Sequence, residues 1–153
     1  MDGSLHDAET HELVIERIFD APRELVWRLW TDDAHARRWF GPRGYSCIDF
    51  QADGRPGGRW RGGMREDATG AEHWASGEFR EVTPPEHIAY TYRWDEPGSL
   101  DTVIDVRFDE TADGRTRMTF RQGPFQTASN RDGHHDGWSE AFDKLAELAA
   151  RED

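Results

Sequence analysis

Cysteine is nearly absent from this 153-residue chain, and the one present, Cys47, rules out an internal disulfide. No stretch approaches the ~18 consecutive apolar residues of a membrane span, so none is expected. Basic residues are in deficit. Nineteen Lys and Arg against thirty-one Asp and Glu leave a formal charge of −12, which argues against a nucleic-acid partner, because a phosphate backbone rewards clustered cations. The opening "MDGSLHDAETHE" lacks the basic and apolar regions of a secretory signal. A soluble cytoplasmic protein is the expectation. Repeats and low-complexity tracts are missing, as are a phosphate-cradling glycine loop, a Cys/His metal spacing and a GxSxG turn. Neither a cofactor nor a metal is expected.

What is plentiful is aromatic area. Hydrophobic residues make up 35% of the chain, but seven Trp, eight Phe and three Tyr concentrate that fraction in rings that bury ~150–250 Å² each. A length of 153 residues suits one domain with one core. Residues 1–11 are polar and aperiodic and read as a mobile N-terminal tail, which leaves 12–153 as the domain. "ELVIERIFDA" alternates, with Leu13, Ile15, Arg17 and Phe19 forming a mostly apolar strand face. Pro22 suits the first position of a helix carrying Leu25, Val26, Leu29 and Trp30 on one stripe, and "AHARRWF" adds a second short helix.

From Tyr45 to Gln122 the apolar residues recur at period two between short turns, which predicts strands at 45–51, 57–65, 73–83, 87–95, 101–109 and 115–122. Connections this short favour an antiparallel meander. Arg131 to about Arg151 reads as one long helix, with Trp138, Ala141, Phe142, Leu145, Leu148 and Ala149 on one face. Asp132 is the expected N-cap, Asp136 favours the positive end of the helix dipole, and Gly137 is expected to allow close packing. The class is α+β, with about seven antiparallel strands, two short helices after the first strand and a long C-terminal helix.

Alternation turns Tyr90, Tyr92 and Trp94 to one face, and Trp60, Gly62 and Met64 to the inside of a strand whose Arg59, Arg61 and Arg65 point out. A curved sheet gripping one helix cannot close everywhere, so such rings either fill a core or line a hollow of ~300–1,000 Å³. The expected lining residues are Trp39, Trp60, Met64, Trp74, Tyr92, Trp94, Phe108, His134, Trp138 and Phe142. Tyr90 and Tyr92 have hydroxyls that could orient a polar ligand group.

Catalytic signals are thin. His134 and His135 are neighbours, and adjacent helical residues point ~100° apart, so the two cannot approach one metal together. No metal site is expected there. Cys47 has no neighbouring His and reads as core. His73, Glu78 and Asp105 could act as acid or base only if they face inward, and exposure on the strands is the simpler expectation. No catalytic residue is assigned, and binding is expected in preference to catalysis.

Seven segments in order, "FDAPRELVWRLWTD", "RRWFGPRGY", "GGRWRGGMRE", "GEFREVTPPEHIAYTYRW", "VIDVRF", "RTRMTF" and "HHDGWSEAFDKLAE", resemble a known family. It comprises proteins related to the activator of the 90-kDa heat-shock protein ATPase, within the START/Bet v 1-like (SRPBCC) superfamily. The resemblance covers residues 12 to 151 and implies a helix-grip fold: a curved antiparallel sheet wrapped around a long C-terminal helix over a hydrophobic cavity. It implies binding of a small hydrophobic or amphipathic molecule of lipid, polyketide or aromatic type. His134 matches the His of the family's His-x-x-Gly-Trp pattern. Two alternatives follow from the same resemblance: a co-chaperone-like module that binds a 90-kDa heat-shock chaperone, and a cyclase or hydrolase acting on an apolar substrate. The eukaryotic co-chaperone carries an additional N-terminal domain to which the resemblance does not extend, so stimulation of the ATPase is not expected.

Overall fold

A computed structural model describes residues 11–151, so nearly all of the expected tail, residues 1–11, lies outside the described residues. The chain runs β1 (Leu13–Phe19), α1 (Arg23–Thr31), α2 (Asp33–Ala36), β2 (Tyr45–Ala52), β3 (Arg59–Glu66) and β4 (Glu72–Thr83). It continues through β5 (His87–Trp94), β6 (Thr102–Glu110), β7 (Thr116–Gly123) and α3 (Ala128–Arg151). Strands β2 to β7 form an uninterrupted antiparallel meander. The two short helices carry the chain from β1 to the far edge, so the sheet order is β1-β7-β6-β5-β4-β3-β2. Register shifts between Cys47 and Asp49 and between Phe79 and Glu81 mark irregularities that help a seven-stranded sheet to curl. The α+β helix-grip architecture implied by the sequence is present.

Helix boundaries follow local chemistry. Pro22 is the residue before α1 rather than its first, and its carbonyl accepts from Leu25 and Val26 N–H at 3.0 and 3.2 Å. Asp32 ends α1 and caps α2, its side chain accepting from Ala34 N–H at 3.0 Å. Helix α3 begins three residues before the expected Arg131, because Thr127 is its cap: the hydroxyl accepts from Asn130 N–H at 3.0 Å. Asp132 therefore lies inside the helix and pairs with Arg131 at 3.1 Å.

The core and the hollow occupy different ends of α3. Its C-terminal half presents Phe142, Leu145, Leu148 and Ala149, all buried, and they pack with Phe19, Val26, Ile104 and Phe120. Trp30, Phe120 and Phe142 form a ring cluster, with centroids 5.2 to 6.2 Å apart. Burying each large side chain here contributes ~1.5–3 kcal/mol. Arg17, at the sheet edge, clamps the same helix through Asp143 at 2.7 Å. The N-terminal half of α3, by contrast, spans open space.

Candidate functional site

That space is a cavity of about 610 Å³. Its floor is the inner face of the sheet, with Met64 from β3, His73 from β4, Tyr92 and Trp94 from β5, and Gln122 from β7. Its roof is one stripe of α3, in which Gly133, His134, Gly137, Trp138 and Ala141 follow helical spacing. The β5–β6 connection, including Glu96 and Leu100, forms part of the wall, opposite Gly41 and Tyr45.

The ten residues expected to line a pocket separate into three sets. Met64, Tyr92, Trp94, His134 and Trp138 border the cavity. Trp39 and Trp60 border instead a second void of about 40 Å³, which shares Phe40, Tyr92 and Trp138 with the first. Their indole N–H groups are committed to the fold, donating to Leu29 O at 2.8 Å and Thr91 O at 2.9 Å. The remaining three line neither space. Trp74 has the opposite parity to inward His73 and Ala75, so it lies on the outer face, with the Arg61 guanidinium 4.1 Å above its ring and Gly63 beneath. Phe108 is fully buried beside Trp27 and Trp30, near α1. Phe142 stacks on Trp138 and closes the core end.

Sequence reasoning missed the polar part of the floor. Gln122 is 1% exposed, and the chain of bonds around it is continuous. Trp138 Nε1–H donates to Gln122 Oε1 at 2.8 Å, Gln122 Nε2–H donates to Thr102 Oγ1 at 2.9 Å, and Thr102 Oγ1–H donates to Tyr92 O at 3.1 Å. The signal was available: Gln122 continues the inward parity of Met118 and Phe120, so a polar group had to be buried there.

The histidine pair divides as helical geometry requires. His135 is exposed beside Asp136, whereas His134 turns to the cavity. His134 Nδ1–H donates to Asn130 O at 2.8 Å, and Nε2 accepts from Trp94 Nε1–H at 3.0 Å. This pairing requires a neutral ring with its proton on Nδ1.

Other candidates occupy lesser positions. His73 borders the cavity and pairs with Glu96 at 3.2 Å, both side chains partly exposed. Glu78 is exposed, and Asp105 lies on the outer face against His87 at 2.8 Å. Cys47 is half-buried rather than core, and desolvation pushes its thiol up, which favours the protonated form. Among the described residues no group of three or more His, Cys, Asp or Glu is placed to hold a metal ion. Gly137 does not serve close packing: a Cβ there would meet nothing within 4 Å.

The sequence profile of the family described as "Activator of Hsp90 ATPase homolog 1-like protein" matches residues 20–150. The chain belongs to this family. The fold recurs in solved structures of bacterial proteins. Protein CV1439 from Chromobacterium violaceum is 26% identical with a TM-score of 0.85, the alignment covering 91% of this chain and 96% of that one. Protein NE0264 from Nitrosomonas europaea is 31% identical with a TM-score of 0.76, covering 92% and 95%. The AHSA1 protein SPO3351 from Silicibacter pomeroyi, 23% identical, has a TM-score of 0.82 over 93% and 99%. No curated protein matches the chain.

In this family member, His134 makes stability depend on pH. Burial lowers its pKa from the ordinary 6.5, only partly offset by the Asn130 carbonyl. The unfolded chain therefore binds a proton before the folded one does. Stability is highest above about pH 6.5 and falls as the pH drops towards the folded-state value, below which this contribution is gone. Thermal melts between pH 7.5 and 5 should show a downward slope that shrinks in His134→Gln. An unchanged slope in the variant would refute the assignment.

Proposed function

We propose that the chain, as one domain over residues 12–153 in the cytoplasm, binds a small hydrophobic or amphipathic molecule between its sheet and C-terminal helix. The observation that carries this reading is the hollow of about 610 Å³ beneath the N-terminal half of α3. Its size falls within the ~300–1,000 Å³ of small-molecule sites, and its walls combine large rings such as Trp94, Phe125 and Trp138 with polar side chains such as Gln122, Asn130 and His134. Binding derives mainly from removing apolar surface from water, at ~25 cal/mol per Å². Met64, Tyr92, Trp94, His134 and Trp138 are the side chains assigned to ligand contact. A panel of flavonoids, fatty acids and polyketides titrated against labelled protein should shift the amides of these five residues. A panel that leaves the inner face of the sheet unperturbed would count against the reading.

Membership of a family related to the activator of Hsp90 ATPase favours a second reading, docking to a 90-kDa heat-shock chaperone. The convex face supplies charge for it, including Arg61 paired with Asp95 and Arg93 paired with Asp101. Such docking would weaken with salt and would map to the outer surface. Capture of the purified bacterial chaperone by wild-type protein, insensitive to cavity ligands, separates it from the first reading. The cavity's titratable pair, His73 with Glu96, is the place where a cyclase or hydrolase activity would have to reside.

A further inference from the structure

The polar groups of the wall narrow the ligand class, an inference that rests on the binding reading above. Among the described residues, no Lys or Arg borders the cavity. Its one carboxylate, Glu96, is held by His73. The two other acids of the β5–β6 connection, Asp95 and Asp101, engage Arg61 and Arg93, and Arg43 near the rim is engaged by Glu147 at 2.8 Å. His134 is occupied on both ring nitrogens. A ligand carboxylate inside would therefore be stripped of water with no cation to meet it, and a neighbouring carboxylate would oppose it.

A neutral acceptor meets a different situation. Tyr92 is 4% exposed, boxed by the rings of Trp60, Trp94 and Trp138 at 5.1, 5.4 and 5.9 Å, and it borders the cavity. Among the described residues its hydroxyl makes no hydrogen bond, whereas Thr102 and Gln122 beside it are already paired. Burial keeps the phenol protonated, so it offers the cavity an O–H donor that no protein acceptor takes up. We propose that the cavity selects an uncharged aromatic or alicyclic carbonyl compound over the matching carboxylate, with the Tyr92 hydroxyl donating to the ligand's carbonyl oxygen.

Three probes of nearly equal size test this: 2-acetylnaphthalene, 2-naphthoate and 2-ethylnaphthalene, titrated into wild-type protein and Tyr92→Phe at pH 7.5 with amide shifts as the readout. The ketone should bind wild type at least roughly ten-fold tighter than the carboxylate, since an unpaired buried charge costs more than a neutral acceptor. In Tyr92→Phe the ratio of ketone to hydrocarbon affinity should fall about five-fold, the usual worth of one hydrogen bond. A carboxylate that binds as tightly as the ketone, or a ratio unmoved by the substitution, overturns the inference and leaves cavity binding standing. Absence of binding by all three probes overturns the binding reading and this inference with it. Should Tyr92→Phe not fold, the ketone and carboxylate affinities of wild type decide the matter.

Discussion

A Gly77→Ala variant is expected to lose at least about 3 kcal/mol of stability, a fall in thermal midpoint of roughly 6–12 °C for a chain of this size. Gly77 lies in β4 opposite Trp60 of β3 and is packed beneath the backbone of β5. A Cβ at this position would overlap the Thr91 carbonyl oxygen and stand 2.6 Å from Trp60 Nε1. Those two atoms are hydrogen-bonded to each other at 2.9 Å, so the methyl group would wedge into the bond that pins Trp60. Backbone cannot yield as a flexible side chain can, and the strain has to be met by moving β4 from β5. Gly70→Ala is a poor control because φ there is +81°, whereas Gly133 has an open surround and an ordinary φ. A Gly77→Ala loss below about 1 kcal/mol would show that the sheet absorbs the methyl and that the close approach is not rigid.

Legibility in the sequence followed the strength of the local pattern. Strict alternation in "RWRGGMRE" separated inward Trp60, Gly62 and Met64 from outward Arg59, Arg61 and Arg65, and the strand has that burial. The α1 stripe Leu25, Val26, Leu29 and Trp30 was equally plain, and all four are buried. Trp74 was misplaced because its size outweighed its parity, although an indole can be sheltered on an outer face by a guanidinium. The location of the hollow was not legible. Trp39 is the same residue type as Trp94 and Trp138, and Phe142 is aromatic like them, so only the path of α3 across the sheet decides which rings meet core and which meet space. Glu96 entered the wall through a loop, where no periodicity exists to place it. Helix α3 starts earlier than expected because the Thr127 hydroxyl caps it in place of Asp132.

The two glycines of α3 give the sharpest test of whether the hollow is kept for a ligand. Gly133 and Gly137 both border the cavity, and a Cβ on either would meet nothing within 4 Å. Each costs a helix interior about 1 kcal/mol relative to alanine, and neither repays that cost by letting another element approach. Gly137→Ala should therefore raise stability by about 0.5–1 kcal/mol. Gly137→Phe should stay folded, because its ring enters open volume, and should lower ligand affinity at least roughly ten-fold by occupying the space between Trp138 and Trp94. Melting curves and the same amide titration, run on both variants, separate the two effects. A Gly137→Phe protein that is folded and binds as wild type does would move the ligand site elsewhere. A Gly137→Ala protein less stable than wild type would mean that the glycine serves the backbone instead of the cavity.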